Sequence, residues 1–255
     1  MNFIKIGSGR PVMLIHGLFG NLDNLKSVAN ELAKFREVIC VDVRNHGLSP
    51  WKEDMEYANI ANEIIDLIKS LNIEKIDLLG HSMGGKIAMS CALLHPEIIH
   101  SVIAADIAPV TYVPHHQDVL DALSKLNLHK IKSRSEALSE IVKEGINKPT
   151  AQFILKNLSF KNGVAKWLLN VKVLKREYGS ITSWPFTDKI YQSPILFIKA
   201  ENSDYLTSDH KEEVLAQFPN AEVKMIKDTT HWLHAERPAI FNRLACEFFH
   251  KKGLK

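Results

Sequence analysis

The fold is decided at Ile76-Asp77-Leu78-Leu79-Gly80-His81-Ser82-Met83-Gly84-Gly85. An apolar run reaches a glycine, a serine stands two places on, and two more glycines open a helical stretch through Ala88, Met89, Ala92 and Leu93. Strand, tight turn and helix in that order are the context that the G-x-S-x-G pattern requires. Small residues two places either side of Ser82 let the backbone turn without Cβ clashes, so the hydroxyl projects above the sheet. The helix that starts at Met83 adds a backbone N–H and a positive dipole end, where a developing oxyanion would be stabilised. Outside that context the same residues would be a glycine-rich turn with a capping serine.

Outward from this turn, β-rich apolar runs at residues 12–15, 38–42, 76–80, 102–106, 195–199 and 222–226 alternate with helical patterns. This alternation predicts an α/β protein with a mostly parallel central sheet flanked by helices. Ligands of such sheets bind beyond the carboxyl ends of the strands, and several of these runs end on a glycine or an ionisable residue. Tyr57, Ile60, Ala61, Ile64, Ile65, Ile68 and Leu71 recur at helical spacing and predict a helix with one face on the sheet. A last helix opens at Pro238, runs to about residue 250 and buries Ile240, Phe241, Leu244 and Phe248. Between residues 111 and 184 the patterns are amphipathic and helical, with no convincing strand. The expected organisation is a core of residues 1–110 and 185–255 with a helical cap inserted at 111–184.

A chain of 255 residues suits one α/β domain with a modest insertion. Its 45% hydrophobic and 24% charged residues are those of a globular protein, and no apolar run reaches the roughly 20 residues of a membrane helix. Residues 1–6 lack the marks of a secretory signal, so a cytoplasmic location is expected. Cys40, Cys91 and Cys246 are odd in number and widely spaced, which predicts reduced thiols and neither a disulfide framework nor a zinc cage. A net charge of +3 without an aromatic-basic module speaks against a nucleic-acid partner. The positive charge is concentrated in residues 111–184, where 12 Lys plus Arg face 6 Asp plus Glu, leaving the remainder net negative.

A serine hydroxyl is a weak nucleophile at neutral pH and needs a base to take its proton and an acid to orient that base. Both are expected downstream of Ser82, acid before histidine. His231 follows the run 222–226 and a short polar loop, from which it can swing over the turn; His234 is the nearest rival. Two aspartates qualify as the acid. Asp106 ends the run 102–106 and precedes Ile107-Ala108-Pro109, where it could merely cap the start of the insertion. Asp204 lies in Glu201-Asn202-Ser203-Asp204-Tyr205, where it could be an ordinary turn aspartate. The pattern leaves both open. His16-Gly17-Leu18-Phe19-Gly20 follows the run 12–15, and its glycines allow close backbone approach to a ligand. The N–H of Leu18 is expected to pair with that of Met83 as an oxyanion hole, with His16, Phe19 and His81 against the substrate. No metal and no organic cofactor is expected.

Together, His16-Gly17, Asp42-Val43-Arg44-Asn45-His46-Gly47-Leu48-Ser49, the turn at Ser82, and His231-Trp232 with Glu236 and Pro238 resemble the α/β-hydrolase superfamily over nearly the whole core. The fuller strings Leu18-Phe19-Gly20 with Asp23-Asn24, Asp106-Ile107-Ala108-Pro109 and His231-Trp232-Leu233-His234-Ala235-Glu236 are similar to the YbfF group of small acyl esterases. The resemblance implies a serine esterase or thioesterase for short to medium acyl esters, acyl-CoA among them, and a cap of short helices over the pocket. It also implies Asp106 as the acid, although Asp204 occupies the more usual place. Haloalkane and epoxide hydrolases carry an aspartate where Ser82 stands, which excludes them. Carbon-carbon bond hydrolases, perhydrolases and lyases with a serine triad remain as alternatives, as does a non-catalytic ligand-binding relative.

Overall fold

Each of the apolar runs becomes a strand. The computed structural model describes residues 1–252. In chain order it has β1 (Asn2–Gly7), β2 (Pro11–Ile15), α1 (Lys26–Leu32), β3 (Glu37–Asp42), α2 (Tyr57–Ser70), β4 (Ile76–His81), α3 (Met83–Leu94) and β5 (Ile99–Ala105). There follow α4 (Gln117–Lys125), α5 (Arg134–Lys143), α6 (Lys148–Ile154), β6 (Leu158–Lys161), β7 (Val164–Trp167), α7 (Val171–Arg176) and α8 (Tyr178–Thr182). The chain ends with β8 (Ile195–Ala200), α9 (Lys211–Gln217), β9 (Ala221–Ile226), α10 (Leu233–Glu236) and α11 (Pro238–Lys252).

Seven strands form one sheet in the order β1-β3-β2-β4-β5-β8-β9, parallel throughout except for β1, which runs antiparallel on β3. Alternation along the strands sorts side chains onto two faces. Met13 and Ile15 of β2 pack with Ile60, Ile64 and Ile68 of α2 on one side. Val12 and Leu14 pack with Val28 and Leu32 of α1 and Phe241, Ala245 and Phe249 of α11 on the other. Both faces are covered, which is why β4 and β5 read as near-continuous apolar runs.

The chain between β5 and β8 contributes five α-helices, a short 3₁₀ helix (Leu155–Asn157) and one hairpin, and none of it joins the main sheet. The hairpin corrects the expectation of a strand-free stretch: β6 pairs with β7 in antiparallel register, Leu158 opposite Trp167. Asn162 and Gly163 between them both have positive φ, 51° and 75°, as a type I′ turn demands. That Asn-Gly pair, flanked by alternating residues, is the local signal for it. The other unexpected strand, β1, is an edge strand with mixed exposure that leaves little apolar pattern to read.

Cys40 and Cys91 are buried and Cys246 is half-buried, all as free thiols. Burial pushes the Cys40 thiol up to about 12. No helix of the described residues is long and apolar enough to cross a membrane.

Candidate active site

Ser82 stands between the end of β4 and the start of α3 with φ 56° and ψ −123°, a conformation that a non-glycine residue rarely adopts. Such strain costs on the order of 1–3 kcal/mol and persists only where the surroundings over-determine it. Here the Ser82 amide donates to the Ala105 carbonyl at 2.9 Å, and the Ser82 carbonyl accepts from Gly85 N at 2.8 Å and Lys86 N at 3.2 Å. The flanking glycines supply space. A Cβ on Gly80 would overlap the Gly84 carbonyl, and one on Gly84 would overlap the carbonyl oxygens of Ile15 and His16. Helix α3 therefore rests directly on the ends of β2 and β4, and the serine is forced upward.

The Ser82 hydroxyl lies 2.9 Å from His231 Nε2, and His231 Nδ1 lies 2.8 Å from Asp106 Oδ2. A carboxylate can only accept, so Nδ1 donates to Asp106 and Nε2 is left to accept from Ser82. Asp106 is fully buried and sits just past β5 with φ 48°. Its Oδ1 accepts from Ala200 N at 2.9 Å, and its Oδ2 also accepts from Ser203 Oγ at 2.5 Å. Tyr205 stacks on the His231 ring with centroids 4.0 Å apart. Asp204, between Ser203 and Tyr205, is exposed and has no hydrogen bond or ion pair to His231 among the described residues. The loop after β8 thus contributes its serine and its tyrosine to this assembly.

The loop after β2 is held from behind. His16 donates through Nδ1 to the Gly17 carbonyl at 2.8 Å, and its Nε2 accepts from Val43 N at 3.1 Å. His46 accepts from Phe19 N at 3.3 Å and donates to the Arg44 carbonyl at 2.9 Å. Burial lowers His16 to about 4 and His46 to about 3, so both rings are neutral and serve as fixed bridges. Both ring nitrogens of His16, expected against substrate, are spent on backbone, and the residue stands behind the residues that line the cavity. Asp42 closes the same assembly, accepting from Leu22 N at 2.8 Å and Leu48 N at 2.9 Å, with Gly47 too close for any side chain. Leu18, in the loop so held, lines the same cavity as Ser82. Among the described residues no protein acceptor takes the amide of Leu18 or of Met83. Gly17 is tightly packed here, since a Cβ on it would stand 3.2 Å from that of Ser82.

Above Ser82 lies a cavity of about 370 Å³ whose lining includes Leu18, Phe19, His81, His231, Trp232 and Phe153. His81 Nε2 donates to the His231 carbonyl at 2.8 Å, so it fixes the histidine loop from below. His234 touches the His81 ring, with centroids 4.4 Å apart, and makes no hydrogen bond to Ser82 among the described residues. Burial and the nearby His231 hold His234 at about 4. It is a wall residue.

Several members of the site were given no role from the sequence. Ser203, Tyr205 and His46 act through contacts across loops. Asn157, buried in the insertion, donates to the Phe19 carbonyl at 2.7 Å and so ties the insertion to the loop after β2. Lys86, four places after Ser82, is 1% exposed and was hidden in a helix pattern.

The strand order, the serine turn and the loops gathered at the strand ends define the α/β-hydrolase class of fold. The model of the alpha/beta hydrolase fold family matches residues 10–238, and the chain belongs to that family. It is 39% identical over 232 residues to "Esterase YbfF" of Escherichia coli (strain K12), covering 89% of this chain and 88% of that one. It is 34% identical over 251 residues to "sn-1-specific diacylglycerol lipase ABHD11" of Xenopus laevis, covering 94% of this chain and 80% of the relative. The solved structure titled "Marine microorganism esterase" matches with a TM-score of 0.94 and 36% identity, covering 97% of this chain and 98% of that one.

Proposed function

We propose that this chain hydrolyses carboxylic esters through an acyl-enzyme on Ser82, with His231 as general base and acid and Asp106 as its orienting carboxylate. The chain is an ester hydrolase by its relatives; the unbroken contact from Ser82 through His231 to Asp106, at 2.9 and 2.8 Å, supports the residue roles. His231 Nε2 takes the hydroxyl proton as Ser82 Oγ attacks the carbonyl carbon. The amides of Leu18 and Met83 hold the oxyanion, donors worth about 3–4 kcal/mol each in comparable sites. The same Nε2 returns the proton to the departing alcohol or thiol. Water then enters, loses a proton to His231 and releases the acid. Asp106 fixes the tautomer and stabilises the imidazolium that forms in each half.

The segment 111–184 acts as a cap over the pocket, tied to the oxyanion loop through Asn157. Short acyl thioesters, including those of coenzyme A, fall within this chemistry. The lining of the main cavity contains Asp118 and neither Lys nor Arg, so any pull of the basic cap on an anionic leaving group is long-range and screened by salt. The specificity constant for acetyl-CoA should then fall with rising salt while that for p-nitrophenyl acetate stays level.

Replacing the two aspartates one at a time tests the roles. With p-nitrophenyl butyrate, Asp106→Asn should lower kcat by about ten-thousand-fold. Asp204→Asn, at an exposed position, should leave it within about twofold. The reverse pattern would overturn the assignment.

A further inference from the structure

Two cavities meet at Ser82, and the direction of proton transfer distinguishes them. His231 Nε2 must return its proton to the leaving atom, so the leaving group lies on the His231 side. His231, Trp232 and His234 line the larger cavity and are absent from the lining of the smaller one. The smaller, about 40 Å³, shares Ser82 with the larger and is walled by Met83, Lys86, Ile107, Tyr57, Tyr112 and Ile181. From this placement we infer that the small alcove receives the acyl chain and that Lys86 sets its depth by clamping the insertion to the serine helix. The inference rests on the acyl-enzyme reading above.

The clamp is built from both sides. Lys86 leaves α3 four residues after Ser82, and its Nζ donates to the carbonyls of Thr182 at 2.9 Å and Ser183 at 2.8 Å. These carbonyls belong to the last turn of α8, where a helix has no internal donors to offer. The Thr182 carbonyl also accepts from Tyr112 N at 3.0 Å, and the Tyr57 hydroxyl donates to the Ile181 carbonyl at 2.7 Å. The Lys86 ammonium lies over the rings of Tyr112 and Tyr57, 4.7 and 5.7 Å from their centroids. Burial lowers Lys86 to about 7, and the neutral amine still has two N–H groups for the two carbonyls. Residues 181–183 are thus held down onto the alcove in either protonation state. A space of that size takes roughly three water-sized groups, which matches acyl chains of two to four carbons. The leaving group has the larger cavity to itself.

The test is an acyl-length profile with one leaving group, p-nitrophenyl esters from acetyl to decanoyl, for wild type, Lys86→Ala, Lys86→Arg and Ile181→Ala. The wild type should favour butyryl over octanoyl by at least about tenfold in kcat/KM, the scale of discrimination that a few methylenes permit. Lys86→Ala and Ile181→Ala should each shrink that ratio by about tenfold or more. Lys86→Arg, which keeps donors for both carbonyls, should retain part of it. Ile181→Ala leaves Lys86 in place, so it carries the test even if Lys86→Ala does not fold. A wild-type optimum at octanoyl or longer would overturn the inference. So would variants that lose activity on every ester equally with the ratio unchanged, since that is what a purely structural lysine predicts. A wild type inactive on all lengths and unlabelled by a fluorophosphonate would instead bring down the acyl-enzyme reading beneath it.

Discussion

Two of the turns that contain glycine in this molecule contain it for opposite reasons. At the serine turn the residue with positive φ is Ser82 itself, and Gly80 and Gly84 are needed because neighbouring carbonyls leave no room for a Cβ. At the hairpin of the insertion Gly163 has φ 75° and nothing within 4 Å of a would-be Cβ. The first glycines answer to packing against two strands, the second to local backbone preference. A turn locked by its surroundings can hold a strained serine at a fixed place; a turn set only by its own residues cannot. The proposed nucleophile sits on the former.

Substitutions sharpen this contrast, beginning with the largest effect. Ser82→Ala should lower kcat on a p-nitrophenyl ester by about a million-fold, as loss of a nucleophile does in comparable triads. Asn162→Ala at the hairpin should leave the rate level, and a comparable loss there would erase the distinction.

The loops around the serine turn also carry a liability that the hairpin lacks. His16, His46 and His234 are held neutral by burial at about 4, 3 and 4, against an ordinary 6.5. Their folded pKa values are depressed, so the unfolded chain binds more protons once the pH falls below 6.5, and stability drops from there toward 4. Three such groups give a slope of up to about 4 kcal/mol per pH unit. At pH 5 the loss is on the order of 5 kcal/mol, a large part of a typical domain's stability. Denaturant midpoints at pH 7.5 and 5 check this, and equal midpoints would refute it.

The glycines themselves follow. Gly84→Ala should destabilise by about 3 kcal/mol through overpacking. Gly163→Ala should cost about 1 kcal/mol through its backbone angle alone, with activity kept. Thermal unfolding of the two variants measures both, and equal shifts would mean that the two turns are not different in kind.

The same contrast explains what the sequence made legible. Ser82, Gly80 and Gly84 stand in one short stretch because strand, turn and helix must touch within it. Five of the six parallel strands were visible because both faces of the sheet are covered there, leaving apolar runs, while exposed edge strand β9 was read from its residue pattern alone. Edge strand β1 has no such run. The choice between Asp106 and Asp204 lay beyond pattern, because it turns on which carboxylate the fold buries under His231. Asp106 is fully buried there, and the loop containing Asp204 presents Ser203 instead. Lys86 and Asn157 were unreadable for a related reason: each meets its partner across the junction of core and insertion, 96 and 138 residues away along the chain.

The most direct measurement is the site of covalent capture. Protein treated with a fluorophosphonate and digested should give, by mass spectrometry, one adduct on the peptide containing Ser82. That adduct should be absent from Ser82→Ala and formed far more slowly by His231→Ala. An enzyme that hydrolyses esters yet is labelled at another residue, or is labelled as fast without His231, would contradict the account.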